Sequence, residues 1–267
     1  MDKKKLLTRI AVSLAIFLPF YFAIAALGTK FGLWDYKFSL GTLIRETAPI
    51  LLGLTALIAL IALIMTLWKA PRTGWIKPLF ALAVPVGIFA FLGSVGSTAG
   101  ENPIHDVATD TANPPAFSAA TMAERTEGES NPLSDYSTPL GQTEFWKAAN
   151  VQEPLASQST AAIIAERYPD LGPILINAGD ETLALETAKT SMKELGYSDV
   201  LDDPANGTVE GVDETFWFGF KDDVVVRIAN GRVDFRSVSR VGQSDLGANA
   251  KRIAELREAV EMELISP

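Results

Sequence analysis

The sequence predicts an α+β protein in two parts, three N-terminal transmembrane helices followed by an antiparallel sheet packed by two main helices. Three observations predict it. Uncharged apolar stretches fall at about residues 10–28, 48–68 and 79–96. An Asn230-Gly231 pair separates two runs of strand-forming residues. Two segments, 180–195 and about 244–262, carry apolar residues at helical spacing. The implied boundaries are a membrane domain at 1–97, a Pro/Ser/Thr-rich extended segment at 98–142 that joins it to the next domain and packs on it, and an α+β domain at 143–267.

A hydrocarbon core of about 30 Å takes roughly 20 helical residues to cross, and each apolar stretch comes close to that length. Lys3, Lys4 and Lys5 ahead of the first stretch, with Ala23-Ile24-Ala25 near its end, would also suit a signal peptide. That run is longer than such peptides use, and Ala11, Ala15, Phe22 and Ala26 give it a partly small-residue face for packing, so an uncleaved helix is expected. Pro19, Pro85, Gly87, Gly93 and Gly96 read as packing positions, because no charged group accompanies them at membrane depth as a transport pathway would need. Trp34, Tyr36, Trp68 and Trp75 read as interfacial anchors.

Charge divides the chain. Ten Lys/Arg stand against three Asp/Glu before Gly100, and thirteen against twenty-nine after it, giving net charges of +7 and −16. Lys3, Lys4, Lys5, Arg9, Lys69, Arg72 and Lys77 fall on one side of the membrane, whereas the other short loop has Lys30, Lys37 and Arg45 offset by Asp35 and Glu46. The positive-inside rule then predicts a cytoplasmic N-terminus and an extracytoplasmic C-terminal domain, a layout that suits a bacterial inner membrane with a periplasm. The acidic half lacks the basic surface that phosphate binding requires, so no nucleic-acid partner is expected. Cysteine is absent, which removes disulfides, thiolate nucleophiles and zinc-cysteine sites.

In the second half, short helices are expected at 144–149 and 159–167, the latter broken by Tyr168-Pro169, and a strand at 173–176. A longer helix starts from Asp180 as N-cap, turns Leu185, Ala188, Met192 and Leu195 to one face, and stops at Gly196. Strands are expected at 197–201, 208–214, 216–220, 224–229 and 232–241. Asn230-Gly231 suits a type I′ turn, which needs positive φ at both central residues. Counting outward pairs Ile228 with Val233, Val226 with Phe235 and Val224 with Ser237 on a core face, and Arg227 with Asp234 and Val225 with Arg236 on a mixed one. The last helix is expected to start at Ser244 or Asp245 and to bury Ile253, Leu256 and Val260.

Several of these segments fall into a recognisable order. Pro103-Ile-His-Asp-Val-Ala-Thr-Asp110 with Asn113-Pro-Pro115, then Tyr168-Pro169, then Phe216-Trp-Phe-Gly-Phe-Lys-Asp-Asp-Val-Val-Val-Arg227, then Arg236-Ser-Val-Ser-Arg-Val-Gly-Gln-Ser-Asp-Leu-Gly-Ala-Asn249 resemble the domain-of-unknown-function 1499 family over about residues 102–260. The resemblance implies a shared fold and no particular activity.

Candidate residues are weighed against structural alternatives. His105 is the only histidine, so a catalytic or metal-bearing constellation would draw on His105, Asp106 and Asp110. No G-x-S-x-G elbow or helical His pair accompanies them, and a structural role pinning the Pro-flanked segment is preferred. Asp202-Asp203 and Asp222-Asp223 read as turn formers. Phe216, Trp217, Phe218 and Phe220 put aromatics on both faces of one strand and so suggest either a covered core or a groove, and the last three join Arg236, Ser239, Arg240, Asp245 and Asn249, which cluster where a strand gives way to a helix. Together these form the candidate binding set. The resulting expectation is a non-catalytic envelope module, without a cofactor, that binds membrane lipids or another envelope protein. The alternatives are a hydrolase or metal-dependent enzyme built on His105, Asp106 and Asp110, and a subunit that assembles a membrane complex.

Overall fold

The computed structural model describes residues 3–68, 71–177 and 179–265. Lys69, one of the residues used to orient the chain, lies outside them. The chain forms two compact units, residues 1–97 with 216–219, and residues 98–215 with 220–267.

In the first unit α1 (Lys3–Lys30), α2 (Ala48–Trp68) and α3 (Ile76–Glu101) are all long and apolar enough to cross a membrane. Helices α1 and α3 extend past their uncharged cores at both ends, because nothing in the flanking polar residues breaks helical hydrogen bonding. A π-helical segment (Phe38–Thr47) leads into α2. Small residues make the contacts: Ala11 and Ala15 of α1 pack with Ala59 of α2 and Ala81 of α3, all buried. Gly28 serves a close approach, since the Trp34 ring lies 2.0 Å from where a Cβ would be, and Trp34 Nε1 donates to the Ala25 carbonyl at 3.2 Å.

The second unit is built on an antiparallel sheet. Its strands are β1 (Asp106–Ala108), β2 (Ile174–Leu175), β3 (Ser198–Asp203), β4 (Thr208–Glu214), β5 (Lys221–Ala229) and β6 (Arg232–Ser239), in the order β1-β6-β5-β4-β3 with β2 also on β6. The expected β5–β6 register is found at every pair, from Ile228 opposite Val233 to Val224 opposite Ser237, and Asn230 and Gly231 have φ of 55° and 71°. That register sends Val224, Val226, Ile228, Val233 and Phe235 to one face. There they meet Ala184, Leu185, Ala188 and Met192 of α7 (Glu181–Glu194) and Ile253, Leu256 and Val260 of α8 (Ala248–Ile265). Two short helices, α5 (Glu144–Ala148) and α6 (Thr160–Arg167), complete this core with Trp146, Ile163 and Ile164.

The opposite face is covered as well. Val225 and Val238 pack with Phe117, Met122 and Leu133, contributed by the segment that holds α4 (Ala119–Glu127). The stretch expected to be extended or irregular thus contains β1 and α4, and it drapes over the sheet. A three-residue strand has too few positions to show a period, which is why β1 leaves no pattern in the sequence.

Four local expectations are corrected. Residues 216–220 do not form a strand. Register pairs Glu214 with Lys221, so 215–220 close the β4–β5 hairpin, with Thr215 N and Phe220 O 2.9 Å apart and Gly219 at a φ of 67°. Asp180 makes no side-chain cap to α7; the Glu181 carboxylate instead accepts from Gly179 N at 2.8 Å. Leu195 is 44% exposed, and Thr187 and Ser191 take up the buried stripe instead. Asp222 and Asp223 are buried strand residues rather than turn formers, because each meets an arginine from a neighbouring element.

Candidate functional site

The polar candidates converge on one end of the sheet, where β1 begins, β6 ends and the β4–β5 turn projects. Register places them there: Asp106 lies opposite Val238, and Asp222 opposite Ser239.

Asp106 is fully buried on the α4 side of the sheet. Arg236 Nε and Nη2 donate to its two oxygens at 3.0 and 2.7 Å, Ser134 N donates at 2.8 Å, and the Tyr136 hydroxyl completes the set. The Arg236 guanidinium also donates to the Pro115 carbonyl and stacks between the rings of Phe117 and Tyr136, at 5.7 and 5.4 Å. Burial and the adjacent Asp106 raise the Tyr136 phenol well above its ordinary pKa, so its proton stays in this network. Beside it, Asp223 accepts from Arg125 and from Arg240, the latter at 2.6 Å. Desolvation of these groups is offset only because each carboxylate has a guanidinium partner in bonding geometry.

The α8 side is held by Asn249, which is fully buried. Its Nδ2 donates to the His105 carbonyl and to Ser239 Oγ, both at 3.0 Å, and its Oδ1 accepts from Ser237 Oγ at 2.6 Å and from Arg252 at 2.7 Å. Arg252 continues to Asp222 and Asp213 at 2.6 and 2.7 Å. Asp245 accepts from Gly247 N and Asn249 N and so occupies the start of α8, while its own N–H donates to the Ile104 carbonyl. One turn of sequence thereby ties β1, β6 and α8 together.

His105 is 1% exposed. Its Nε2 lies 2.9 Å from the Pro132 carbonyl, an acceptor only, so that nitrogen carries the proton. Burial lowers the imidazole pKa, and the neutral ring presents Nδ1 as an acceptor. Among the described residues neither Nδ1 nor Ser134 Oγ has a hydrogen-bond partner, and both residues line a cavity of about 240 Å³ walled by Phe145 and Trp146. Asp110 is turned elsewhere, accepting from Arg227 at 3.2 Å. The three residues of the enzymatic alternative therefore do not share a point: Asp106 serves Arg236, Asp110 serves Arg227, and His105 faces the aromatic cavity. Among the described residues no group of three His, Cys, Asp or Glu side chains is placed to hold one ion.

Residues 106–260 match the family described as a protein of unknown function (DUF1499). The chain belongs to this family. No curated protein and no solved structure matches it. The DUF1499 region begins at Asp106, the carboxylate that anchors Arg236, and ends at Val260, the last core residue of α8, so it spans the sheet and leaves the three long helices outside.

Of the candidate binding residues, the structure commits Arg236, Ser239, Arg240, Asp245 and Asn249 to partners inside the domain. Trp217 differs: it is 53% exposed, and its neighbour Phe216 is 70% exposed, their rings edge to face at 5.3 Å. Phe218 and Phe220 are half-buried. Leu246, 46% exposed, stands in the loop after β6 at the same end of the sheet. Sequence reasoning set Phe216 beside Trp217 on a strand rather than in an exposed turn, and missed Leu246 as a surface residue. The Gly219 that permits the turn was the only local signal.

Proposed function

We propose that this protein is a non-catalytic, membrane-tethered module of a bacterial envelope, anchored in the inner membrane with its DUF1499 domain on the periplasmic side, and that it engages membrane lipid through Phe216 and Trp217 in the β4–β5 turn. The observation that carries the reading is the pair of exposed aromatic rings in the β4–β5 turn, Phe216 and Trp217, in edge-to-face contact. Helix α3 ends at Glu101 and β1 starts at Asp106. Five Cα steps cover at most roughly 19 Å, a short tether to a helix long and apolar enough to cross a membrane. Exposed aromatics in such a position favour the interface, where an apolar ring and a polar edge are both accommodated. The committed salt bridges of the domain supply rigidity rather than chemistry.

The chain has no cysteine, so single-cysteine labelling tests this directly. Phe216→Cys carrying an environment-sensitive fluorophore, in full-length protein reconstituted into liposomes, should show blue-shifted emission and quenching by lipid-borne quenchers. Leu175→Cys, exposed on β2 beside the β5–β6 turn, should show neither. Equal, water-like emission from both sites would sink the lipid-docking reading.

A further inference from the structure

A groove of about 570 Å³ runs between α1 and α3, lined by Thr8, Arg9, Val12 and Ser13 from one helix and Ile76, Lys77 and Phe80 from the other. Helical geometry gives the lining its order. Residues 8, 9, 12 and 13 share a face at one-, four- and five-residue spacings, and 76, 77 and 80 do the same. Each helix therefore offers one cation and, a turn further on, one apolar side chain: Arg9 then Val12, Lys77 then Phe80. Arg9 and Lys77 are also the last charged residues before the uncharged stretches of their helices, so both mark the level at which hydrocarbon gives way to headgroups. Lys77 lies in the first turn of α3, where backbone N–H groups lack helical acceptors and the helix dipole favours an anion. Ser13 adds a hydroxyl donor.

We propose that this groove binds an acidic phospholipid, with the phosphate between Arg9 and Lys77 and an acyl chain along Val12 and Phe80. Charge complementarity selects the occupant. A zwitterionic lipid brings an ammonium or choline group that would meet two cations, whereas an acidic lipid brings only negative charge to the same place. The apolar continuation of the groove distinguishes a lipid from a free phosphate ion.

The test uses the full-length protein in a mild detergent, offered equal amounts of phosphatidylglycerol and phosphatidylcholine with the same acyl chains, with bound lipid counted by native mass spectrometry. The wild type should retain phosphatidylglycerol in preference. Arg9→Gln and Lys77→Gln should each weaken that retention roughly fivefold, and the pair roughly twenty-five-fold, the effect of losing one and two interfacial cations. Arg72→Gln removes the same charge from the adjoining loop, outside the groove, and should leave the preference intact. Ser13→Trp fills the groove without changing charge and should displace the lipid. Three results overturn the proposal: no preference in the wild type, a loss in Arg72→Gln equal to that in Arg9→Gln, or wild-type retention by Ser13→Trp.

Discussion

Burial decides the charge state of His105. The unfolded chain protonates this imidazole near pH 6.5, while desolvation between Phe145 and Trp146 holds the folded pKa lower, against weaker opposing pulls from the Pro132 carbonyl and Asp106. A depressed folded pKa means that the stabilising contribution is complete above about pH 6.5 and is lost as pH falls through the folded value. Asp222 and Asp245 act in the opposite sense. Burial raises their folded pKa values, so the cost of keeping them ionised is relieved on acidification. Because the chain has one histidine, the difference between wild type and His105→Gln isolates the first effect. Urea midpoints of the DUF1499 domain, read by hydrogen exchange in β5 and β6, should fall more steeply from pH 7 to pH 5 in the wild type than in the variant. Parallel slopes would show that His105 is not held neutral. A second prediction concerns Arg236. Arg236→Met leaves Asp106 buried without its guanidinium and should cost about 3–5 kcal/mol, whereas adding Asp106→Leu should return part of that loss, since two apolar groups need no partner. Denaturant titration of the single and double variants measures both steps.

At the level of elements, what could be foreseen depended on how local the signal was. Asn230-Gly231 demands positive φ within the pair itself, so the β5–β6 register followed down to individual partners. The stripe of Ile253, Leu256 and Val260 was equally legible, because helical spacing is contained in the helix. Residues 216–220 were misread for the opposite reason: alternating aromatics look like a strand until the pairing of Glu214 with Lys221 leaves them no partner. The candidate site suffered the same way. Arg236 gave no sign that its carboxylate lay at Asp106, 130 positions away, and Asn249 no sign that it joined three elements. Turn chemistry also makes a prediction. Gly207 and Gly231 have similar positive φ, 64° and 71°, but a Cβ at Gly207 would stand 2.5 Å from the Ile228 carbonyl oxygen, against 3.3 Å from that of Ile176 at Gly231. Alanine at either position should cost about 1–2 kcal/mol for the left-handed backbone. Gly207→Ala should lose clearly more stability than Gly231→Ala, because Ile228 N also donates to the Gly207 carbonyl and the turn cannot open freely. Equal losses would mean that the β3–β4 turn yields.

For the molecule as a whole, sidedness is the quantity on which the functional reading depends, and parity makes it testable. Three crossings would put the loop between α2 and α3 on one side of a membrane and everything after α3 on the other, whatever the absolute orientation. The proposed function takes the orientation that the excess of Lys and Arg around α1 and in that loop predicts, since short loops rich in cations stay cytoplasmic. A strongly acidic domain on the opposite face is consistent with this, because carboxylates contribute little to the rule and do not hinder translocation. The absence of cysteine again allows single-site chemistry. Arg72→Cys and Glu263→Cys lie in the loop and on exposed α8, respectively. A membrane-impermeant maleimide applied to cells with the outer barrier opened should label Glu263→Cys at once, and Arg72→Cys only after the inner membrane is permeabilised. The reverse pattern would place the DUF1499 domain in the cytoplasm and remove the periplasmic reading, and the proposed lipid contact of Phe216 and Trp217 would then be sought at the inner leaflet. Labelling of both sites in intact membranes would break the three-crossing topology itself, and the search would then turn to which helix fails to span.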